Sequence, residues 1–274
     1  MWNLLTNFLS MPSIEDLKKR CLKQNIDLSL RERYKNNYAQ YYPLYITHYF
    51  SIRIVRFLYN KKITPNQVTV FSIILSLIGA VFFSLGSKAS CLAGAFLFEL
   101  FYIFDSVDGQ LARAKGLFSH GGRYLDIFCN FLVPPVILFG IGVGVLKSFY
   151  SPINFYALWL GCYAVLIIQV IELLRDNLIN VHVYNSQQTD KNKLEQHKSH
   201  PNLSLPRRVY SLLYRSCTMP VIMNIVTVTA ISNIFFKRNI FEFTIVYFAI
   251  AGTVVWLLKL IYISKGNIFP RNNG

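Results

Sequence analysis

Gln67–Ser87 reads QVTVFSIILSLIGAVFFSLGS, 21 residues without a single charge. A helix rises about 1.5 Å per residue and the hydrocarbon core of a bilayer is about 30 Å thick, so this run is long enough to cross it. Ile127–Leu146, Ser148–Ile171 and Ser216–Phe236 are uncharged as well. Ala89–Phe104 is interrupted only by Glu99, and Phe243–Ser264 only by Lys259 near its end. Lipid offers no partner to an unpaired backbone group, so all six runs are predicted to be helices. The expected fold is therefore all-α: a polytopic membrane protein of six transmembrane helices, preceded by a cytoplasmic interfacial helix.

Composition agrees. Of 274 residues 53% are hydrophobic and only 15% charged, whereas soluble domains carry roughly 25% charged residues. A soluble two-domain protein is excluded as the leading class. Cys21, Cys91, Cys129, Cys162 and Cys217 form no C-x-x-C pair and are odd in number. They read as small apolar residues rather than a disulfide framework or a zinc site.

The net charge is +15, and its distribution sets an orientation. Eleven Lys and Arg precede the first run, and seven lie between Arg175 and Arg215 in the connection from the fourth run to the fifth. Only Lys88, Lys147, Lys237 and Arg238 fall in the three connections of the other side. The positive-inside rule then places both termini and the two long polar connections in the cytoplasm, as an even number of spans requires. In a membrane protein such a basic face suits anionic lipid headgroups, and no nucleic-acid partner is expected.

The chain divides into a cytoplasmic N-terminal segment, 1–63, and a transmembrane domain, 64–274. Met1–Leu9 lacks a basic flank and is broken by Asn3, Thr6 and Asn7, so it reads as an interfacial segment rather than a secretory signal. Ser13 with Glu15 and Asp16 marks a helix start. Leu44–Asn60 is predicted to be an amphipathic helix whose apolar residues surround Arg53 and Arg56. Thr64-Pro65 supplies an N-cap and first-turn proline for the first span. Val181–Pro206, rich in Asn, Gln, Ser, Lys and His, is predicted to be a mobile cytoplasmic loop with room for a short helix. Its His182, His197 and His200 match no zinc spacing.

Five acids lie in or at the edges of the spans: Glu99, Asp105, Asp108, Asp126 and Glu172. Each costs about 2.5–3.5 kcal/mol to insert and is functional by default, with a structural ion pair as the alternative for any one. Three belong to one pattern, Asp105-x2-Asp108-Gly109-x2-Ala112-Arg113-x8-Gly122-x3-Asp126-x3-Asn130. On a helix Asp105, Asp108, Gly109 and Ala112 share an arc of about 100°, and Arg113 flanks it. Gly122, Asp126, Asn130 and Pro134 share a face of the next helix. A turn at Ala114–Gly121 joins the two. Clustered carboxylates suit hard cations such as Mg²⁺ or Mn²⁺. Gly109, Ala112 and Gly122 leave room beside backbone, and Arg113 presents a fork for phosphate. Together they describe a site for a metal-bound pyrophosphate.

This pattern resembles the signature of the CDP-alcohol phosphotransferase (CDP-alcohol phosphatidyltransferase) family, as do Thr64-Pro65-Asn66 and the six-helix layout. The resemblance implies that Asp105, Asp108 and Asp126 hold Mg²⁺ or Mn²⁺. It implies that Asn66, Thr69, Gly109, Ala112, Arg113, Ser119 and Gly122 contact the CDP moiety of a CDP-linked lipid donor. The reaction it implies is attack of an alcohol acceptor on the phosphorus next to the donated alcohol, with CMP leaving, in phospholipid biosynthesis. The chain departs from the signature at Asn130, where the family has a fourth Asp that ligates metal and serves as general base. An amide oxygen can still ligate a cation but cannot take a proton. His120 is the nearest titratable alternative, placed in the connecting turn.

Three other readings compete. A non-catalytic relative would bind a CDP-linked lipid or a partner without releasing CMP. A cation-coupled transporter would carry its acids near the midplane rather than at the ends of adjacent helices. A prenyltransferase would space its acids differently. Arg175, Arg207, Arg208 and Arg215 are candidates for a phosphorylated acceptor, against a simpler role in positive-inside anchoring. A homodimer is left open. The orientation is checked by a cysteine introduced at Gln188: it should react with an impermeant thiol reagent only after the inner membrane face is opened, and labelling of intact cells would refute the assignment.

Overall fold

The structure is a computed structural model. It describes residues 12–17, 47–187, 205–236 and 239–264, with side chains over the same ranges except 175–187, 205–209, 211 and 262–264. Met1–Leu9 lies outside the described residues, as do 188–204 of the predicted loop. All regular structure among the described residues is helical: α1 (His48–Tyr59), α2 (Pro65–Ser84), α3 (Lys88–Lys115), α4 (His120–Ser148), α5 (Pro152–Gln187), α6 (Leu205–Ser216), α7 (Met219–Ser232) and α8 (Phe241–Ser264).

Five helices, α2, α3, α4, α5 and α8, are long and apolar enough to span a bilayer, and the chain is an integral membrane protein. The run Ser216–Phe236, expected to give a sixth span, forms the 14-residue α7. At about 1.5 Å per residue it is about 21 Å long, short of the hydrocarbon thickness. Two expectations are corrected. The predicted loop Val181–Pro206 begins inside α5, which runs on to Gln187, and α6 starts at Leu205. The turn predicted at Ala114–Gly121 is only Gly116–Ser119, because helical hydrogen bonding persists to Lys115 and resumes at His120.

The helix ends follow from local chemistry. Thr64 and Gln67 form a capping box: the Gln67 amide donates to Thr64 Oγ1 at 3.3 Å and the Thr64 amide to Gln67 Oε1 at 2.9 Å. This satisfies two of the backbone donors that a helix start leaves open. Ser13 caps the turn at 14–17, accepting from the Asp16 amide at 3.0 Å. Gly116 closes α3 with φ +68°, its own amide bonding back to the Arg113 carbonyl and that of Leu117 to Ala112 at 2.9 Å. That left-handed cap favours glycine.

One core runs through α2, α3, α4, α5, α7 and α8. Phe83, Phe98, Phe101, Phe241 and Phe248 are fully buried within it. Phe98 and Phe101 stack at 5.9 Å, and Phe83 meets Phe241 edge-on at 5.8 Å. A smaller core holds α1 against α2 and α3 through Ile52, Val55, Leu58, Val68, Val107 and Leu111. The face of α1 that docks is thus Ile52, Val55 and Leu58, while Tyr49, Phe50 and Phe57 stand exposed. Gln110 Nε2 adds a hydrogen bond to Ser51 Oγ at 2.7 Å. Lys115 Nζ donates to the carbonyls of Lys61 at 2.7 Å and Ile63 at 2.9 Å, tying the α1–α2 linker to the end of α3.

Glycines let the spans approach backbone to backbone, as helices do where lipid provides no hydrophobic drive. A Cβ on Gly79 would sit 3.3 Å from the Gly94 carbonyl of α3. One on Gly140 would collide with the Ala80 carbonyl, and one on Gly144 with that of Phe83. Gly140→Ala should therefore lower the thermal midpoint of the detergent-solubilised protein, at a cost of roughly 1–3 kcal/mol from overpacking. Gly161→Ala, whose added methyl meets nothing nearer than 3.5 Å, is the control and should leave the midpoint nearly unchanged.

Candidate active site

Three elements converge at one end of the bundle: the start of α2, the end of α3 and the start of α4. The C-cap at Gly116 stops α3 just after the motif. Ser119 then restarts the chain, accepting from the Gly122 amide at 2.9 Å. The first amides of α4 are thereby set at the edge of a cavity of about 680 Å³. A helix N-terminus with free amides is an anion site by construction.

The cavity gathers nearly every motif residue. Asp105, Asp108 and Asp126 line it together, close enough to repel one another. Asn66 and Thr69 enter from α2, Gly109, Ala112 and Arg113 from α3, and Ser119 and Gly122 from α4. Thr69 Oγ1 donates to Asp108 Oδ2 at 2.5 Å and so fixes that carboxylate. Arg113 folds back over Gly109: a Cβ there would lie 3.3 Å from Nη1. Gly109 is the residue that lets the guanidinium lie flat along the helix, where it attracts Asp108. Gly122 plays the same part for Asn66, whose Oδ1 would be 2.8 Å from a Cβ at that position.

Asn130 stands apart. It does not line the cavity. Its Nδ2 donates to the Asp126 carbonyl one turn earlier at 3.0 Å and approaches Asp126 Oδ1 at 3.5 Å. His120, expected in a turn, is the first residue of α4 and does line the cavity. Arg215 is exposed on α6 and is not among the lining residues. The side chains of Arg175, Arg207 and Arg208 lie outside the described residues. Sequence reasoning missed Ser106, Leu117, Phe118 and Arg123, all of which line the cavity. Arg123 carried a signal, being three residues before Asp126 and so on the same side of the helix. Leu117 and Phe118 carried none, because they belong to a turn whose path depends on the Gly116 cap.

The carboxylates suit a divalent cation. Asp105 Oδ1 is buried without a hydrogen-bond partner, an arrangement that costs free energy unless a cation or donor faces it. Among the described residues no three His, Cys, Asp or Glu side chains converge to close a metal shell by themselves. The remaining oxygens would have to come from a ligand, as they commonly do for magnesium, which keeps few protein ligands and takes the rest from water and substrate phosphates.

An α-helical membrane protein with an acidic, glycine-floored, phosphate-suited cavity at one end of its bundle is the class that fold and site define. The family model for CDP-alcohol phosphatidyltransferase matches residues 62–257; the chain belongs to that family. Archaetidylinositol phosphate synthase of Pyrococcus horikoshii is 38% identical over 92 residues, which is 34% of this chain and 47% of that one. Phosphatidylinositol phosphate synthase of Mycobacterium tuberculosis is 32% identical over 88 residues, 32% of this chain and 40% of that one. The matched segments thus span less than half the length of these curated relatives. Crystal structures of the Mycobacterium tuberculosis phosphatidylinositol phosphate synthase share the fold. The one with CDP-DAG bound superposes with TM-score 0.54 at 20% identity, over 77% of this chain and 91% of that one. The one in complex with manganese and citrate gives TM-score 0.54 at 18% identity, over 81% and 92%.

The Thr69–Asp108 contact generates a test. Thr69→Val keeps the shape and removes the donor. Manganese affinity, read from the electron paramagnetic resonance of the free ion, should fall by about 10–100-fold, as when an outer-shell partner of a ligand is lost. Unchanged affinity would show that Asp108 needs no such partner.

Proposed function

We propose that this chain transfers a phospho-alcohol group, most simply a phosphatidyl group, from a CDP-linked lipid donor to an alcohol acceptor, releasing CMP, at the cytoplasmic face of the membrane. The observation that carries the reading is the single cavity in which Asp105, Asp108 and Asp126 face Arg113 and the start of α4. The structural neighbours, one with CDP-DAG bound and one in complex with manganese and citrate, support it.

Asp105, Asp108 and Asp126 would hold the cation, Mg²⁺ or Mn²⁺, which polarises a bound pyrophosphate and stabilises the attacking and leaving oxygens. Arg113, laid along Gly109, pairs with a phosphate oxygen through its fork. The first amides of α4 and the Ser119 hydroxyl complete the phosphate cradle, and Asn66 packs against Gly122 at its edge. In the transfer the acceptor oxygen forms a bond to phosphorus next to the donated alcohol. The bond from that phosphorus to the oxygen bridging to CMP breaks, and CMP departs. The acceptor's proton needs a base, and Asn130 cannot supply one. His120, which lines the cavity, is the candidate. A homodimer, the six-span count and the division at residue 63 belong to the same proposal, as does acceptor binding by the arginines of α5 and α6.

A second reading, a relative that binds the CDP-linked lipid with little turnover, is favoured by one observation: the Asn130 amide donates to the Asp126 carbonyl, and Asn130 does not line the cavity. One experiment separates the two. CMP release from CDP-diacylglycerol is measured with a panel of alcohols for the wild type, Asn130→Asp and His120→Ala. A carboxylate at 130 should raise the rate by up to about 10²–10⁴-fold, the range of general-base catalysis. A manganese titration on the same variant separates that gain from tighter metal binding. A fast wild type that Asn130→Asp does not improve, and that His120→Ala slows, assigns the base to His120. No CMP from any acceptor with all three proteins, while Asp105→Ala still abolishes CDP binding, leaves the binding-only reading.

A further inference from the structure

A second cavity, of about 520 Å³, lies at the opposite end of the bundle. Along α3 it is about 25 Å from the aspartates, at 1.5 Å for each residue between Lys88 and Asp105. The α2–α3 junction, the end of α4, the end of α7 and the start of α8 enclose it. Nothing in the transfer reaction uses it, and its polar groups form a definite set.

Asn233 is 1% exposed. Its Oδ1 accepts from the Ile240 amide at 2.9 Å, which fixes the side-chain amide. Its Nδ2 is buried with no hydrogen-bond partner. A buried donor in that state costs free energy until an acceptor arrives. Glu242, 6% exposed, adds a carboxylate to the same lining. Lys88 adds an ammonium that donates to the carbonyls of Phe236 at 2.6 Å and Ile234 at 3.4 Å, leaving its third N–H for another acceptor. Among the described residues the cavity therefore presents an anion, a cation and a donor in need of an acceptor.

That set matches a ligand carrying an ammonium close to a phosphate. The ammonium would go to Glu242, and phosphate oxygens to Asn233 Nδ2 and Lys88. The surroundings say where such a ligand comes from. Phe149 lines the cavity and is 56% exposed; Tyr150 is 71%, Phe235 83% and Phe236 56% exposed. Exposed aromatic side chains clustered at the end of a membrane bundle mark the level of the lipid headgroups. We propose that this cavity binds the headgroup of an aminophospholipid from the leaflet opposite the aspartate site. The headgroup's ammonium meets Glu242, its phosphate meets Asn233 and Lys88, and its glycerol and chains lie over the aromatic rim.

The full chain in detergent, incubated with equimolar phosphatidylethanolamine and phosphatidylglycerol, provides the test by native mass spectrometry of retained lipid. Phosphatidylethanolamine should be retained in preference by about tenfold or more, the factor one charge-assisted hydrogen bond supports. Glu242→Gln should abolish the preference. Asn233→Asp, which keeps the acceptor for Ile240 and replaces the free donor with a negative oxygen, should do the same. Manganese and CDP binding at the other end report that each variant is folded. Equal retention of the two lipids by the wild type, or a preference that survives both substitutions, overturns the proposal. Displacement of the lipid by free phosphoethanolamine at comparable concentration would overturn the lipid as the source while keeping the chemistry of the site.

Discussion

The backbone of α2 lies against the backbones of α3 and α4, and the position of every site residue follows from that contact. Gly79 meets Gly94, Gly140 meets Ala80, and Gly144 meets Phe83, with no side chain between. In lipid, where burying apolar surface against another helix gains little, close packing of small residues is what holds helices together. Because α2 is held this closely, its first turn arrives beside the end of α3 and the start of α4. Thr69 can then reach Asp108, and Asn66 can lie against Gly122. The capping box at Thr64 and the Lys115 tie to the α1–α2 linker fix the same first turn from its outer side.

Five of the acids in the membrane helices divide cleanly. Glu99 accepts from Thr227 Oγ1 at 2.7 Å and so joins α3 to α7. Glu172 pairs with Lys259 and accepts from Tyr214 OH at 2.7 Å, and the Lys259 ammonium sits 4.4 Å from the Tyr214 ring centroid. That cluster binds α5, α6 and α8 together. A buried ion pair adds little net stability, since desolvation offsets the attraction, but removing one partner alone is expensive. Such pairs hold helices in register more than they strengthen the fold. Asp105, Asp108 and Asp126 differ in kind: they crowd one cavity with like charge, and one of their oxygens has no partner at all. Structural acids are satisfied by their neighbours, whereas these are arranged for something that arrives from outside.

The spans and the site were legible to different depths. Runs with no charge or a single one identified α2, α3, α4, α5 and α8, because length and apolarity are properties of local sequence. The motif assembled on two adjacent helices as its i, i+3 and i+4 spacings required. The last polar stretch of α5 reads as loop because Asn and Ser weaken helix propensity, and nothing local signals a helix that extends a long span. The shortness of α7 was hidden because charge content marks where a span can lie, not where its hydrogen bonding begins and ends. Periodicity puts Asn130 one helical turn beyond Asp126. Its turning toward the Asp126 carbonyl was not visible, since back-bonding to the preceding turn is a choice of rotamer.

Pro134 and Pro135 lie inside α4. Neither has an amide hydrogen, so the carbonyls of Asn130 and Phe131 lose their helical donors at successive positions. Beyond this break Ile137, Leu138, Ile141 and Val145 are buried, and Gly140 and Gly144 are pressed on α2. Before it Arg123, Tyr124 and Phe128 are exposed. Asp126 lies on the arm before the prolines, where Cys129 and Val133 are buried in the core. Helices bend where the hydrogen-bond ladder is interrupted. A bend at the prolines would change the separation of Asp126 from Asp105 and Asp108.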